Sequence, residues 1–314
     1  MKASNVPTID FALAKTDPGQ LEQLDAACRD HGFFLLKNHG MQSAINDMWE
    51  SSKWFFEQPR QDKLSITRTE TIPLGYYDRE LTKQKRDLKE VFDYMKPKAD
   101  GDDFNQWPDD KDFKNAMETF FEEASVVAEE TLNLLFHALN KSHIELPTGE
   151  SKTSNVRLNF YPTDDPLGLQ DQKKVTELGD MALHHHTDPG ILTLLLQDMT
   201  GGLQAKSREF GWIDIEPEED TIVVNLGDAM QVWTNDQYVA AIHRVLKRTS
   251  NTRYSTPYFY NPKGNAILKP IKDLSDQSDL YSSFTWKEYI QGRVNDNYAD
   301  LGEDDIQIER FRVS

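Results

Sequence analysis

Three side chains in the second half of the sequence, His186, Asp188 and His243, are of the types that bind a transition metal. His186 and Asp188 are two residues apart, so in an extended segment both project from the same face and can bind one ion. His243 is the only histidine that follows His186 in the chain. Two imidazoles and one carboxylate form the facial triad of non-haem iron(II) sites, which leaves coordination positions open. The histidine–aspartate pair alone is weak evidence, because these residues often meet in polar turns.

A second polar pair, Arg253 and Ser255, follows soon after His243, and its two side chains share one face of a strand. A guanidinium pairs bidentately with a carboxylate. An anionic chelator could therefore be held at its far end by this pair while its near end coordinates the metal. Asn159 and Tyr161 add two polar groups on one face of an earlier strand. Because these separate elements agree, we favour a binding site over a surface arginine with a cross-strand partner.

The elements that must position these residues are short apolar segments between residues 154 and 262, separated by polar or glycine-containing turns. Such spacing predicts an all-β sandwich or barrel. The predicted strands are Val156–Tyr161, Met181–His185, Leu192–Gln197, Leu203–Ala205, Trp212–Ile215, Ile222–Asn225, Gln231–Trp233, His243–Leu246 and Tyr254–Tyr260.

The first half of the chain is predicted to be mainly helical. Asp17 followed by Pro18 predicts a helix start. A second amphipathic helix ends near Pro59, and from Phe113 to Leu139 apolar residues keep a helical period for about seven turns. This last segment is long enough to serve as a spine.

Composition limits the classes of partner. The 314 residues include 38% apolar and 28% charged residues, which is sufficient for a compact globule. A net charge of -18 repels phosphate backbones and anionic lipids, so nucleic acids and membrane surfaces are poor candidates. No segment approaches an apolar run of about 18 residues, and Met1–Ile9 lacks the basic and apolar regions typical of a signal peptide. We therefore expect a cytoplasmic protein, acting as a monomer on a small molecule.

With these residues in view, the chain resembles the isopenicillin N synthase-like branch of iron(II)- and 2-oxoglutarate-dependent dioxygenases. The resemblance covers nearly the whole chain, and the motifs follow the family's order. They are Val6–Phe11, His31–Phe34, Asn38–Gly40, Lys89–Asp93, Trp107–Pro108, Asn159–Pro162, His186–Gly190, Gly201–Gln204, Asn225–Asp228, His243–Val245 and Arg253–Ser255.

The resemblance implies a mixed α and β fold: a double-stranded β-helix, or jelly roll, braced by N-terminal helices and the spine helix. It divides the chain into an N-terminal region at 1–150, a catalytic core at 151–264 and a closing segment at 265–314. It also implies Fe(II), 2-oxoglutarate and dioxygen as reactants. The implied site consists of the iron ligands His186, Asp188 and His243, the residues Arg253 and Ser255 at the distal carboxylate of 2-oxoglutarate, and Tyr161 and Asn159 beside the co-substrate.

Three further residues are candidates for substrate contact. Arg157 shares strand parity with Asn159, so it is expected to face the same cavity and bind a substrate carboxylate, as in an amino acid derivative. The alternative places Arg157 at the rim, paired with a surface carboxylate. Parity also puts His184 on the ligand face, and Phe259 is either barrel packing or a wall of the iron site.

Three readings of the activity remain open at this point. The resemblance favours oxidation of an unactivated C–H bond by hydroxylation, desaturation or ring closure. An oxidase of the isopenicillin N synthase type would keep the Arg-x-Ser run without consuming 2-oxoglutarate. A non-catalytic jelly-roll protein would bind metal or ligand without turnover. Nucleic-acid demethylation is disfavoured because the chain is acidic and lacks a basic stripe.

Overall fold

The computed structural model describes residues 6–69, 71–82, 85–97, 103–141, 144–149, 152–179, 181–247, 250–275, 277–295 and 307–313. The helices are α1 (Pro18–Asp30), α2 (Gln42–Glu57), α3 (Arg60–Leu64), α4 (Lys111–Ala138), α5 (Leu169–Gln172), α6 (Asp228–Trp233) and α7 (Trp286–Asn295). Among the described residues, no helix has the length and apolar composition needed to cross a membrane.

Short strands make up most of the remaining regular structure. They are β1 (Thr8–Asp10), β2 (Phe33–Lys37), β3 (Gly75–Tyr77), β4 (Leu81–Thr82), β5 (Lys85–Arg86), β6 (Glu90–Met95), β7 (Asn155–Tyr161), β8 (Leu183–His186), β9 (Leu192–Gln197), β10 (Leu203–Ser207), β11 (Gly211–Asp214), β12 (Ile222–Leu226), β13 (His243–Val245), β14 (Arg253–Tyr260), β15 (Ile267–Leu268) and β16 (Phe284–Thr285).

Two sheets face each other to form the jelly roll. The larger has the order β1-β2-β12-β9-β14-β7-β6-β3, and the smaller has the order β11-β10-β13-β8. A small apolar core lies between them, where Leu35 and Val223 of the larger sheet pack with Leu203 and Val245 of the smaller one. The jelly roll expected from the sequence is confirmed. The larger sheet also joins strands from either side of residue 150.

Helices α1, α2 and α4 pack together against the larger sheet and bury the main core. The spine helix α4 begins after Asp110, whose side chain accepts a 2.7 Å hydrogen bond from the backbone N–H of Phe113. Its apolar stripe, which includes Met117 and Leu135, packs in the main core against α1, α2 and the strands. Helix α1 begins at Pro18 with Asp17 as its N-cap, as the sequence predicts.

One predicted strand is wrong. Gln231–Trp233 belongs to α6, which begins at Asp228 directly after the extended residue Gly227. A short apolar run has no periodicity that separates a strand from a buried helical turn. The other predicted strands of the core are present, with ends that differ by no more than two residues.

Strand pairing brings distant parts of the sequence together at one end of the core. His243 on β13 is directly opposite His186 on β8. On the larger sheet, Arg253 is opposite Tyr161, and Ser255 is opposite Asn159.

Candidate metal centre

The two histidines and the aspartate converge on one point. The Oδ1 atom of Asp188 lies 3.7 Å from Nε2 of His186 and 3.9 Å from Nε2 of His243. One ligand atom from each residue lies within 4.8 Å of the other two, so a single ion can contact all three. Among the described residues, this is the only group of at least three such side chains with that spacing.

Hydrogen bonds to backbone carbonyls orient both imidazoles. Nδ1 of His186 lies 2.9 Å from the carbonyl oxygen of His184, and Nδ1 of His243 lies 2.9 Å from that of Ala241. A carbonyl only accepts, so each Nδ1 carries the proton and each Nε2 presents a lone pair to the centre. Burial lowers the pKa of His186 below its usual value, which keeps that imidazole neutral and able to bind metal.

Two residues that the sequence analysis missed hold Asp188. Its Oδ2 atom accepts hydrogen bonds from the Thr193 hydroxyl at 2.6 Å and from the Asn225 amide at 2.8 Å, which leaves Oδ1 for the metal. Burial alone would raise the pKa of Asp188, but the two neighbouring imidazoles and these hydrogen bonds lower it overall. Thr193 and Asn225 each interrupt a strand of apolar residues, and a polar side chain inside such a strand needs a buried partner.

A cavity of about 260 Å³ opens beside the triad. Its lining includes all three triad residues, the four residues expected near the co-substrate, and two of the three substrate candidates, Arg157 and Phe259. Two residues from α7, Ile290 and Arg293, also line it. Most of the sequence-predicted site is therefore gathered around one space.

Arg253 projects into this cavity from β14 and is only 1% exposed. Its Nε donates to the Gly201 carbonyl at 3.0 Å, and its Nη2 donates to Gln197 at 3.4 Å. The guanidinium stacks 5.0 Å from the ring centroid of Tyr161. Its Nη1 is buried and has no hydrogen-bond partner among the described residues. A buried donor in this state favours an anionic ligand.

Ser255 and Asn159 are buried on the neighbouring strands β14 and β7. The Asn159 amide lies 3.4 Å from the Ser255 hydroxyl. Both residues line the cavity together with Arg253. The polar face predicted from strand parity is thus present, with the arginine at one end.

Arg157 also lines the cavity, but carboxylates already surround its guanidinium. Nε and Nη2 donate to the two oxygens of Asp93 at 2.7 and 2.9 Å, and Nη1 donates to Glu80 at 2.9 Å. Both carboxylates are buried, so they are not the surface partners considered from the sequence. Glu80 in turn pairs with Lys89 at 2.8 Å, and both of these residues line the cavity. We call these four residues, Arg157, Asp93, Glu80 and Lys89, the ionic wall. They come from separate strands and loops, so patterns in the sequence do not predict it.

The other two substrate candidates differ in placement. Phe259 lines the cavity. The His184 ring does not lie in the described lining. Its Nδ1 is instead 3.8 Å from Asp87, and its backbone carbonyl supports His186. The expected substrate contact of the His184 ring therefore receives no support from this placement.

The donor set fits iron(II): two imidazoles and one carboxylate converge on one point, beside a cavity with a buried guanidinium donor that has no partner among the described residues. Fold and site together define a non-haem iron oxygenase with a jelly-roll core. Comparison with known proteins gives the same class. The 2OG-Fe(II) oxygenase superfamily matches residues 152–262, and the family described as non-haem dioxygenase in morphine synthesis N-terminal matches residues 6–110.

The similarity to known proteins covers almost the whole chain. Gibberellin 2-beta-dioxygenase 4 of Arabidopsis thaliana is 31% identical, over 98% of this chain and 95% of the relative. 1-Aminocyclopropane-1-carboxylate oxidase 1 of Oryza sativa subsp. japonica is also 31% identical, over 92% and 89%. The crystal structure of a full-length Neurospora crassa protein in complex with alpha-KG and thymine has a TM-score of 0.78 and 25% identity, covering 92% of this chain and 96% of that one.

The chain belongs to the 2-oxoglutarate–Fe(II) oxygenase superfamily. It is an iron(II)- and 2-oxoglutarate-dependent dioxygenase that acts on a small molecule. In this class, iron and 2-oxoglutarate activate dioxygen, and 2-oxoglutarate is converted to succinate and carbon dioxide while the substrate is oxidised. The protein's part is to orient the reactants and exclude water.

Proposed function

We propose that the enzyme oxidises a C–H bond of a small polar substrate held between the triad and the ionic wall. In this proposal, His186, Asp188 and His243 bind iron, and Arg253 with Ser255 binds the distal carboxylate of 2-oxoglutarate. The single observation that carries the co-substrate assignment is the buried Nη1 of Arg253, for which the described part of the chain offers no hydrogen-bond partner.

The Arg253 environment supports this role energetically. A buried N–H without an acceptor costs about 1–3 kcal/mol, more when the group is charged. A carboxylate would supply the missing acceptor through a charge-assisted hydrogen bond. Ser255 is two residues along the same strand and lines the same space, so its hydroxyl can donate to the second carboxylate oxygen. Asn159 and Tyr161 would then border the co-substrate.

The ionic wall narrows the substrate class. Arg157 already has the charges of Asp93 and Glu80 beside it, so it can add hydrogen bonds to a substrate without adding net positive charge. An isolated substrate carboxylate would upset this balance. A zwitterion or a neutral acceptor group would preserve it. We therefore favour an amino acid derivative or a neutral carbonyl or amide compound, with Phe259 forming an apolar wall.

Replacing Arg253 by leucine tests the co-substrate site. Each hydrogen bond between Arg253 and a carboxylate contributes roughly 1.5–3 kcal/mol. Arg253→Leu should therefore raise the KM for 2-oxoglutarate at least about tenfold. Succinate release during slow, substrate-independent turnover is the measurement. Arg244→Leu is the matched control, because Arg244 lies on β13 of the smaller sheet, donates to Gln204 and lies outside the described cavity lining.

The same assay separates the remaining readings. An unchanged KM for 2-oxoglutarate in Arg253→Leu would remove Arg253 from the co-substrate site, whereas wild-type oxygen consumption without succinate release would favour an oxidase that does not consume 2-oxoglutarate. Iron binding without oxygen consumption or succinate, across a screen of amino acid derivatives and neutral amides, would favour a non-catalytic binding protein. Substrate hits are identified by an iron- and 2-oxoglutarate-dependent mass change.

We also propose an oligomeric state, a cellular location and a division of the chain into segments. We propose a monomer, a cytoplasmic location and the division into segments 1–150, 151–264 and 265–314. The net charge of -18 supports a monomer, because a net charge far from zero makes copies of a protein repel one another. Light scattering, cell fractionation and limited proteolysis test them in turn.

A further inference from the structure

We propose that Arg293, on the C-terminal helix α7, is a positioning residue for the metal centre. It holds Thr187, the residue between the ligands His186 and Asp188, so that the docking of α7 sets the metal affinity. This inference rests on the proposed iron site.

The backbone around Thr187 needs an external anchor. Strand β8 ends at His186 and β9 begins at Leu192, so the segment that carries Asp188 lies outside the sheet ladders and is held by single backbone hydrogen bonds, such as those from Asp228 to Asp188 and from Ala229 to Gly190. Backbone groups outside a ladder require other partners when they are shielded from water. Asp188 must nevertheless keep its Oδ1 within reach of both imidazoles.

Arg293 supplies that anchor from outside the jelly roll. Its side chain is largely buried, and its Nη2 donates a 2.6 Å hydrogen bond to the carbonyl oxygen of Thr187. This carbonyl belongs to the peptide unit that joins Thr187 to Asp188. Because a peptide unit is planar, holding the carbonyl also holds the orientation of the backbone N–H of Asp188. A guanidinium suits this task because its donors are arranged in a rigid fork.

A second connection runs from the same helix to the same segment through Asp228. The Tyr289 hydroxyl donates to Asp228 Oδ2 at 2.5 Å, and the Thr187 hydroxyl donates to the same oxygen at 3.2 Å. The backbone N–H of Asp228 donates to the carbonyl of Asp188 at 2.8 Å. Helix α7 therefore reaches the segment between the ligands by two routes.

Partners that orient metal ligands typically change affinity by roughly 10–100-fold when removed. We expect Arg293→Met to weaken Co(II) binding about tenfold and to alter the absorption spectrum of the bound Co(II), which reports ligand geometry. Arg293→Lys keeps a charged donor and should recover part of the affinity. The titration is done anaerobically on the full chain without 2-oxoglutarate, so it does not depend on turnover.

Trp286→Phe is the matched control for loss of helix docking. Trp286 is a buried anchor at the start of α7, with its ring 6.4 Å from that of Tyr289, and its side chain is part of neither of the two hydrogen-bonded connections to Thr187 described above. We expect its Co(II) affinity to stay within about twofold of the wild-type value, even where its melting temperature falls. If Arg293→Met does not fold by circular dichroism, Arg293→Lys and Tyr289→Phe carry the test, with a smaller loss of affinity expected in each.

Two results would overturn the inference. The first is that the folded Arg293 variants bind Co(II) with the wild-type affinity and give the wild-type absorption spectrum. The other is an equal loss of affinity in Trp286→Phe, which would make Arg293 a general anchor of the helix. Failure of the iron site itself gives a different result, because wild type and His243→Ala would then bind Co(II) alike.

Discussion

Replacing Arg157 by leucine tests whether the ionic wall is a balanced unit. Among the described residues, the ionic wall continues through Arg68 and Asp87 into a cluster of three cations and three carboxylates, joined at distances of 2.7–3.2 Å. The cations are Arg68, Lys89 and Arg157, and the carboxylates are Glu80, Asp87 and Asp93. Their formal charges cancel, so removing one cation leaves an excess negative charge in a mostly buried cluster.

The structure sets the size of the effect. Arg157→Leu removes two hydrogen bonds from Asp93 and one from Glu80. Removing one partner of a buried ion pair typically costs about 3–5 kcal/mol, which is a large fraction of a typical free energy of unfolding of about 5–15 kcal/mol. The Arg157 side chain is 22% exposed, so solvent screens part of the loss. We expect the free energy of unfolding to fall by about 3 kcal/mol at neutral pH.

Urea denaturation of the metal-free protein is the assay. Asp93→Asn in the Arg157→Leu background restores the neutrality of the cluster. The double variant should therefore lose less free energy of unfolding than the two single variants lose together, by at least about 1 kcal/mol. Lys15→Leu is the control: it breaks the exposed Lys15–Glu130 pair and should cost under about 1 kcal/mol.

The pH dependence gives a second check. Burial tends to raise the pKa of Glu80, but Arg157, Lys89 and Arg68 together hold it well below the usual value. A depressed carboxyl pKa contributes stability above the unfolded pKa, and this contribution is lost as the pH falls through the folded pKa. The difference in free energy of unfolding between wild type and Arg157→Leu should therefore have its full size at neutral pH and decrease below about pH 4.3. Strict additivity within about 0.5 kcal/mol, or a pH-independent difference, would refute the balanced-network argument.

The remaining predictions concern the metal centre. His243→Ala should abolish iron binding and succinate release while circular dichroism stays unchanged, and full activity in this variant would remove His243 from the site. Asn225→Ala deletes one of the two donors to Asp188 Oδ2 and should weaken Co(II) binding roughly tenfold, as measured by titration; an unchanged affinity would show that the Thr193 bond is sufficient. Chelating the metal should stop succinate release reversibly, with activity restored by Fe(II) rather than by Mg²⁺.

Local patterns in the sequence were enough for the parts of the site that lie along one strand. The alternation of side chains in an extended chain put Arg253 beside Ser255, and Asn159 beside Tyr161, and all four line the cavity. The spine helix was equally readable, because its apolar residues repeat at the helical period over 28 residues. The short run Gln231–Trp233 carries no period, so its sequence alone does not separate the predicted strand from the helical turn that it forms.

Only the tertiary structure decided which groups meet across the sheet and between segments. It placed His243 opposite His186 and brought Thr193 and Asn225 to the back of Asp188. It also surrounded Arg157 with carboxylates from other elements and carried Arg293 from the C-terminal helix to Thr187. Side-chain parity states which face a residue occupies, but the partner on that face depends on strand order and helix docking. Those are set by packing of the whole core rather than by neighbours in the sequence.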